Sequence, residues 1–128
     1  MADTTRAHLL ADVPVGAFLS GGLDSAAIVA LMTRASGTRL KTFSLGFDEA
    51  EFSEANAAAA TARHLGTEHF TYTLTGTEVA DNIGTLIDSL DQPTGDGVNT
   101  YFIGRVARAG GITVGLSGLG GDELFGGY

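Results

Sequence analysis

Apolar positions along this chain come in blocks whose period switches between that of a strand and that of a helix. Residues 13–19 (VPVGAFL) are an apolar run bounded by Asp12 and by Ser20-Gly21-Gly22, which predicts a buried strand. From Asp24 to Ala35 seven apolar residues follow without a breaker, predicting a helix packed on most of its circumference and stopped near Gly37. Residues 40–47 (LKTFSLGF) return to strand-like composition. An alanine-rich segment that Ser53 can cap runs through His64 and predicts a second helix, closed by Gly66 in the left-handed conformation. Residues 68–74 alternate as a third strand.

The second half repeats the scheme. Thr75 with Glu78 fits a capping box, and Leu74 with Val79 fits a hydrophobic staple around it. Val79, Ile83, Leu86, Ile87 and Leu90 then form one apolar helical face, ending at the polar stretch DQPTGDGVN of residues 91–99. Tyr101 to Ala109 reads as a helix stopped by Gly110-Gly111, and Ile112 to Leu116 as a fourth strand. Strands alternating with helices predict an α/β fold, with βα units around a mainly parallel sheet and no internal linker or repeat.

Composition narrows the chemistry. The 128 residues carry a formal charge of −8, with fifteen acidic against seven basic residues, which disfavours nucleic acid or an anionic membrane as partner. No apolar run approaches the roughly 18 residues of a membrane span, and the N-terminus lacks a signal-peptide core, so a soluble cytoplasmic protein is expected. Zero cysteines remove disulfides, thiolate metal sites and cysteine nucleophiles. Nineteen glycines without a collagen period belong in loops.

Two glycine-rich loops, each after a predicted strand, carry the strongest signal. In Ser20-Gly21-Gly22-Leu23-Asp24-Ser25 the glycines permit a tight turn and close ligand approach, while helix-start N–H groups and two hydroxyls offer donors to phosphate oxygens. Such a cradle needs no basic side chain, and no lysine or arginine occurs between Arg6 and Arg34. Ser117-Gly118-Leu119-Gly120-Gly121-Asp122-Glu123 is the second loop, and both should face one ligand beyond the carboxyl ends of the strands. Asp24 and Asp122 are then candidate ligands for a Mg²⁺ that would screen them from the phosphates.

Other motifs fail or fit less well. A Walker A loop needs a lysine after its glycines, and the only lysine is Lys41. A dinucleotide fingerprint starting at Gly118 would need glycine at Glu123. The nucleophile elbow G-x-S-x-G is nearly met at Gly115-Leu116-Ser117, but Leu119 takes the last glycine position, leaving a Ser117 hydrolase as a weaker reading. His8, His64 and His69 have no metal-ligand spacing and read as surface or structural residues. The acidic run of Asp48, Glu49, Glu51 and Glu54 reads as a solvated loop and helix start. Asp91, Asp96 and Asn99 could be polar contacts on a substrate-side loop, but their stretch reads equally as a turn and is left outside the site.

SGGLDS resembles the pyrophosphate-binding PP-loop of the N-type ATP pyrophosphatases. Together with DVPVG at 12–16, TFSLG at 42–46 and SGLGGDELFGGY at 117–128, it resembles the synthetase domain of glutamine-dependent asparagine synthetases, from about Ala11 to Tyr128. The resemblance implies a three-layer sandwich of the adenine nucleotide alpha hydrolase-like, PP-loop type, with helices on both faces of the sheet. Residues 1–11 would be a lead-in and 12–128 the N-terminal part of a truncated domain, an excised segment of a larger enzyme.

It also implies a reaction. ATP adenylates the side-chain carboxylate of aspartate with release of pyrophosphate, and ammonia from a glutaminase domain of the parent chain then displaces AMP. Ser20, Gly21, Gly22, Asp24 and Ser25 would hold pyrophosphate and Mg²⁺. Leu19 and Leu45 would lie along the adenosine, Ser117 and Gly118 would line the nucleotide from the other side, and Asp122 would complete the metal site. Many members carry glutamate where Leu119 stands, so the acceptor is open between aspartate, which is favoured, and another carboxylate. A non-catalytic nucleotide-binding fragment and a homo-oligomer are also compatible with the chain.

Overall fold

The structure is a computed structural model that describes residues 2–48, 54–92 and 94–121. Four parallel strands, β1 (Val15–Phe18), β2 (Lys41–Phe47), β3 (Glu68–Leu74) and β4 (Val114–Leu116), form one sheet in the order β3-β2-β1-β4. Five helices accompany them: α1 (Ala2–His8), α2 (Leu23–Ala35), α3 (Ala55–Leu65), α4 (Gly76–Asp88) and α5 (Gly97–Ala109). Ala17 pairs with Thr42 on one side of β1 and with Leu116 on the other. The chain leaves β1 toward β2 and β3, then crosses back to place β4 on the opposite flank. The β1–β4 boundary is therefore the point where strand order reverses.

Alternation along β1 and β2 explains the three layers. Ala17 and Leu19 pack with Val29 and Met32 of α2 and Ala58 and Ala62 of α3. Phe18 and Phe43, one residue out of step, meet Ile103, Val106 and Ala107 of α5 instead. Leu45, Phe47 and Leu74 join Val79 and Leu86 of α4 and Phe102 of α5. Helices thus cover both faces of the sheet, as the resemblance implies, and residues two apart, Ala17 and Leu19 or Leu45 and Phe47, share a core.

Several boundaries differ from the sequence reading for local reasons. The polar lead-in contains α1, which buries Thr5 and leads into Leu9 packed on the core of α2 and α3. A helix of seven residues has little stability of its own, so tertiary contact decides it. β1 starts at Val15, because Pro14 lacks an N–H and Val13 is exposed. The fourth strand is shorter than 112–116, since the N–H groups of Thr113 and Val114 both donate to the Pro14 carbonyl as the chain enters the sheet. α5 begins at Gly97 rather than Tyr101, so the last three residues of the polar stretch, Gly97, Val98 and Asn99, are helical.

Gly66 closes α3 at φ 71°, as expected, whereas Ser53 lies outside the described residues and Glu54 occupies the N-cap. Only one half of the capping box forms. Glu78 N–H donates to Thr75 Oγ1 at 3.2 Å, but the Glu78 carboxylate accepts the Tyr72 hydroxyl instead of reaching back. Of the apolar face on α4, Leu86 is buried while Ile83 and Ile87 stay exposed.

The two ends of the sheet have opposite polarity. At the amino ends of the strands, the C-terminal carbonyls of helices are met by cations: Arg39 Nε donates to Gly66 O at 3.2 Å and Lys41 Nζ to Gly110 O at 2.9 Å. These cations compensate the negative ends of the helix dipoles. At the carboxyl ends the helices present their positive ends, and there a cavity opens.

Candidate functional site

A cavity of about 830 Å³ lies beyond the carboxyl ends of β1, β2 and β4. Eight of the nine expected nucleotide contacts, Leu19, Ser20, Gly22, Asp24, Ser25, Leu45, Ser117 and Gly118, line it, and Gly21 does not. Three helix starts converge on it: Gly22 before α2, Glu54 before α3 and Asp96 before α5. None of these N-caps makes a side-chain cap hydrogen bond, whereas α4, which contributes nothing to the wall, is capped by Thr75. Free N–H groups in a helix's first turn, together with its dipole, attract anions. Among the described residues no lysine or arginine lines the cavity, so the positive potential for an anion comes from backbone.

The first loop is shaped by its own serines. Ser20 Oγ and Ser25 Oγ are 2.9 Å apart, Ser20 N–H donates to Ser25 Oγ at 3.1 Å, and Gly22 N–H donates to Ser20 Oγ at 3.2 Å. The hydroxyls expected to serve a ligand thus first hold the turn. The second loop rests directly on the first. A Cβ on Gly118 would lie 2.9 Å from the Ser25 backbone nitrogen, and one on Gly121 would lie 2.5 Å from Asp24 Cβ and Cγ. Gly120, at φ 86°, makes the turn that allows this approach. The structure therefore brings both glycine loops to one place, as the sequence implied.

Asp24 sits in the first turn of α2 and lines the cavity. Asp122, its proposed partner at a metal, lies outside the described residues. Among the described residues no group of three His, Cys, Asp or Glu is arranged to hold a metal ion. The oxygen donor available from Asp24 suits a hard cation that completes its shell with phosphate oxygens and water.

Sequence reasoning left out five polar wall residues: Ser44, Glu54, Asp96, Asn99 and Thr100. Asn99 Nδ2 donates to Asp96 Oδ1 at 2.7 Å, so Asp96 organises the first turn of α5 on the wall. The turn-forming composition of residues 91–99 hid this helix start. Glu54 was legible only as part of an acidic run. Phe18, Phe43, Phe47 and Ile103 add an apolar side to the cavity, suited to a flat heterocycle. Among the described residues no histidine lines it, so Ser117 has no imidazole to act as its base.

His69 serves the sheet. Its Nδ1 lies 2.9 Å from Thr42 Oγ1 and its Nε2 lies 3.2 Å from Ser44 Oγ, while Thr42 Oγ1 is also 2.9 Å from Thr67 Oγ1. Burial pushes its pKa below the usual 6.5, opposed by a hydrogen bond with the Thr42 backbone. Its role is structural, as its spacing suggested.

Comparison with known proteins gives the same direction. The asparagine synthase family profile matches residues 1–128. The chain is 41% identical over 128 residues to asparagine synthetase [glutamine-hydrolyzing] 1 of Bacillus subtilis, covering 98% of this chain and 20% of that protein. It is 33% identical over 145 residues to asparagine synthetase B [glutamine-hydrolyzing] of Escherichia coli, covering 100% of this chain and 26% of that one. It thus spans about a fifth to a quarter of the length of these relatives. Its fold is similar to that of an NH3-dependent NAD synthetase from Campylobacter jejuni, with a TM-score of 0.62 and 17% identity over 99% of this chain and 57% of that one.

Proposed function

The chain belongs to the asparagine synthase family, and from that premise we propose that it is the nucleotide-binding part of an ATP-dependent, amide-forming ligase. The observation that carries this reading is the pair of glycine loops packed on each other at the mouth of an 830 Å³ cavity walled by helix starts and lacking basic side chains among the described residues. Backbone N–H groups of the first turn of α2 would receive the pyrophosphate oxygens of ATP. Leu19, Leu45 and the phenylalanines of the apolar wall would take the adenosine, leaving the α-phosphorus between the loops.

The aspartate side-chain carboxylate would attack that phosphorus, forming β-aspartyl-AMP and releasing pyrophosphate, and ammonia would then displace AMP. A Mg²⁺ held by Asp24, with Asp122 as its expected second ligand, would neutralise charge on the phosphates. The protein's contribution is to fix the polyphosphate by the loops and to exclude water from the acyl adenylate. Ammonia would come from a glutaminase domain of the parent chain, in keeping with the relatives being glutamine-hydrolyzing enzymes by name. The site of action would be the cytoplasm. In the described residues no helix is long and apolar enough to cross a membrane.

Leu119, 85% exposed on the cavity wall, supports a second acceptor reading, a carboxylate other than aspartate, because the family resemblance implies glutamate at this position in many members. Exchange of labelled pyrophosphate into ATP by the intact protein, with a panel of carboxylic acids, tests both. Exchange that requires aspartate supports the first reading, and exchange with another acid supports the second. Formation of ADP without exchange overturns adenylation.

A further inference from the structure

Glu54 stands at the entrance to the first glycine loop. Its Oε2 accepts the Gly21 N–H at 3.0 Å, and Glu54 lines the cavity whereas Gly21, between two loop residues that do line it, is absent from the wall. The contact is also packed: a Cβ on Gly21 would lie 3.2 Å from Glu54 Cβ and 3.2 Å from Ala57 Cβ. The neighbouring amides are used differently. Ser20 N–H and Gly22 N–H go to serine oxygens within the loop, while Gly21 N–H alone of these three goes to a charged acceptor brought by another helix.

A carboxylate asks of an N–H what a phosphate oxygen asks, and charge-assisted hydrogen bonds are about twice as strong as neutral ones. We propose that Glu54 is a built-in anion that occupies one phosphate seat of the loop and leaves it when the pyrophosphate group of the nucleotide arrives. This rests on the reading of the loop as a pyrophosphate site. Because the Gly21–Glu54 bond is solvent-exposed, it opens without disturbing the core. A seat filled by a tethered carboxylate is competent only for the fraction of time it is open, which raises the apparent Kd by the inverse of that fraction. Glu54 thereby sets nucleotide affinity without touching the reacting atoms.

The test is calorimetric titration of the intact protein with Mg²⁺–pyrophosphate at fixed salt, comparing wild type, Glu54→Gln and Glu54→Asp. Glutamine keeps the shape and loses the charge. Aspartate keeps the charge but is one methylene too short to hold the amide. Displacement predicts that both variants bind pyrophosphate more tightly, by roughly tenfold, and that the Gly21 amide resonance of the wild type moves on binding. Tightening in Glu54→Gln alone reduces Glu54 to through-space repulsion and overturns the proposal. Weakening in both makes it a buttress of the loop, which also overturns it. Equal affinity in all three proteins refutes the role of Glu54 and leaves the site intact, whereas no binding by any of them removes the pyrophosphate site itself.

Discussion

Gly118 lies against the backbone of Ser25 so closely that a methyl group would come within 2.9 Å of the Ser25 nitrogen. The obstacle is the first turn of a helix, which cannot rotate aside as a side chain can. Gly118→Ala is expected to push the two loops apart, at about 1–3 kcal/mol of strain. ATP affinity by calorimetry should drop at least tenfold, while the circular dichroism of the protein keeps its α/β signature. Unchanged affinity would mean that the loops do not bind one ligand together.

Asp24→Asn separates metal binding from helix stabilisation. The carboxylate favours the N-terminus of α2 whether or not a cation is present, but it repels phosphate unless a cation intervenes. With Mg²⁺ the variant should bind ATP at least tenfold more weakly. Without Mg²⁺ it should bind as well as the wild type or better. Equal losses under both conditions would assign Asp24 to the helix alone.

The half-formed capping box makes an asymmetric prediction. Thr75 Oγ1 caps α4, so Thr75→Ala should cost about 1 kcal/mol in urea denaturation. Glu78→Gln should cost less, because the Glu78 carboxylate does not return to the Thr75 N–H and serves the hydroxyl of half-buried Tyr72, whose pKa it raises. Equal costs would show that the reciprocal bond forms in solution.

Glu78 also illustrates what the sequence could and could not reveal. Strand and helix order, the Gly66 cap and the union of two glycine loops were legible, because each depends on local pattern or on topology that parallel βα units impose. The partner of Glu78 was not, since Tyr72 reaches it only once β3 turns into α4. Helix α1 and the start of α5 escaped for a related reason. Thr5 and Leu9 find their burial against distant segments, and Asp96 and Gly97 have the composition of a turn while serving as a helix start. Eight of nine expected contacts reached the cavity wall, and the exception, Gly21, was covered by an acid that composition alone assigns to solvent.

His69 gives the protein a specific pH dependence of stability. The folded state holds its imidazole among hydroxyls of Thr42, Ser44 and Thr71, and burial keeps its pKa below the 6.5 of an exposed histidine. As pH falls through 6.5 the unfolded chain takes up a proton that the folded chain still refuses, so stability declines. The decline continues down to the lowered pKa of the folded state and levels off below it, with a slope from this group of at most about 1.4 kcal/mol per pH unit. Above about pH 7.5 this histidine contributes no slope. Urea denaturation of wild type and His69→Gln at a series of pH values isolates the effect, since the carboxylates and the exposed His8 and His64 are common to both proteins. The difference in stability between them should be constant at neutral and alkaline pH and shrink as pH falls below 6.5. A difference independent of pH would mean that His69 is charged as readily in the folded protein as in the unfolded chain.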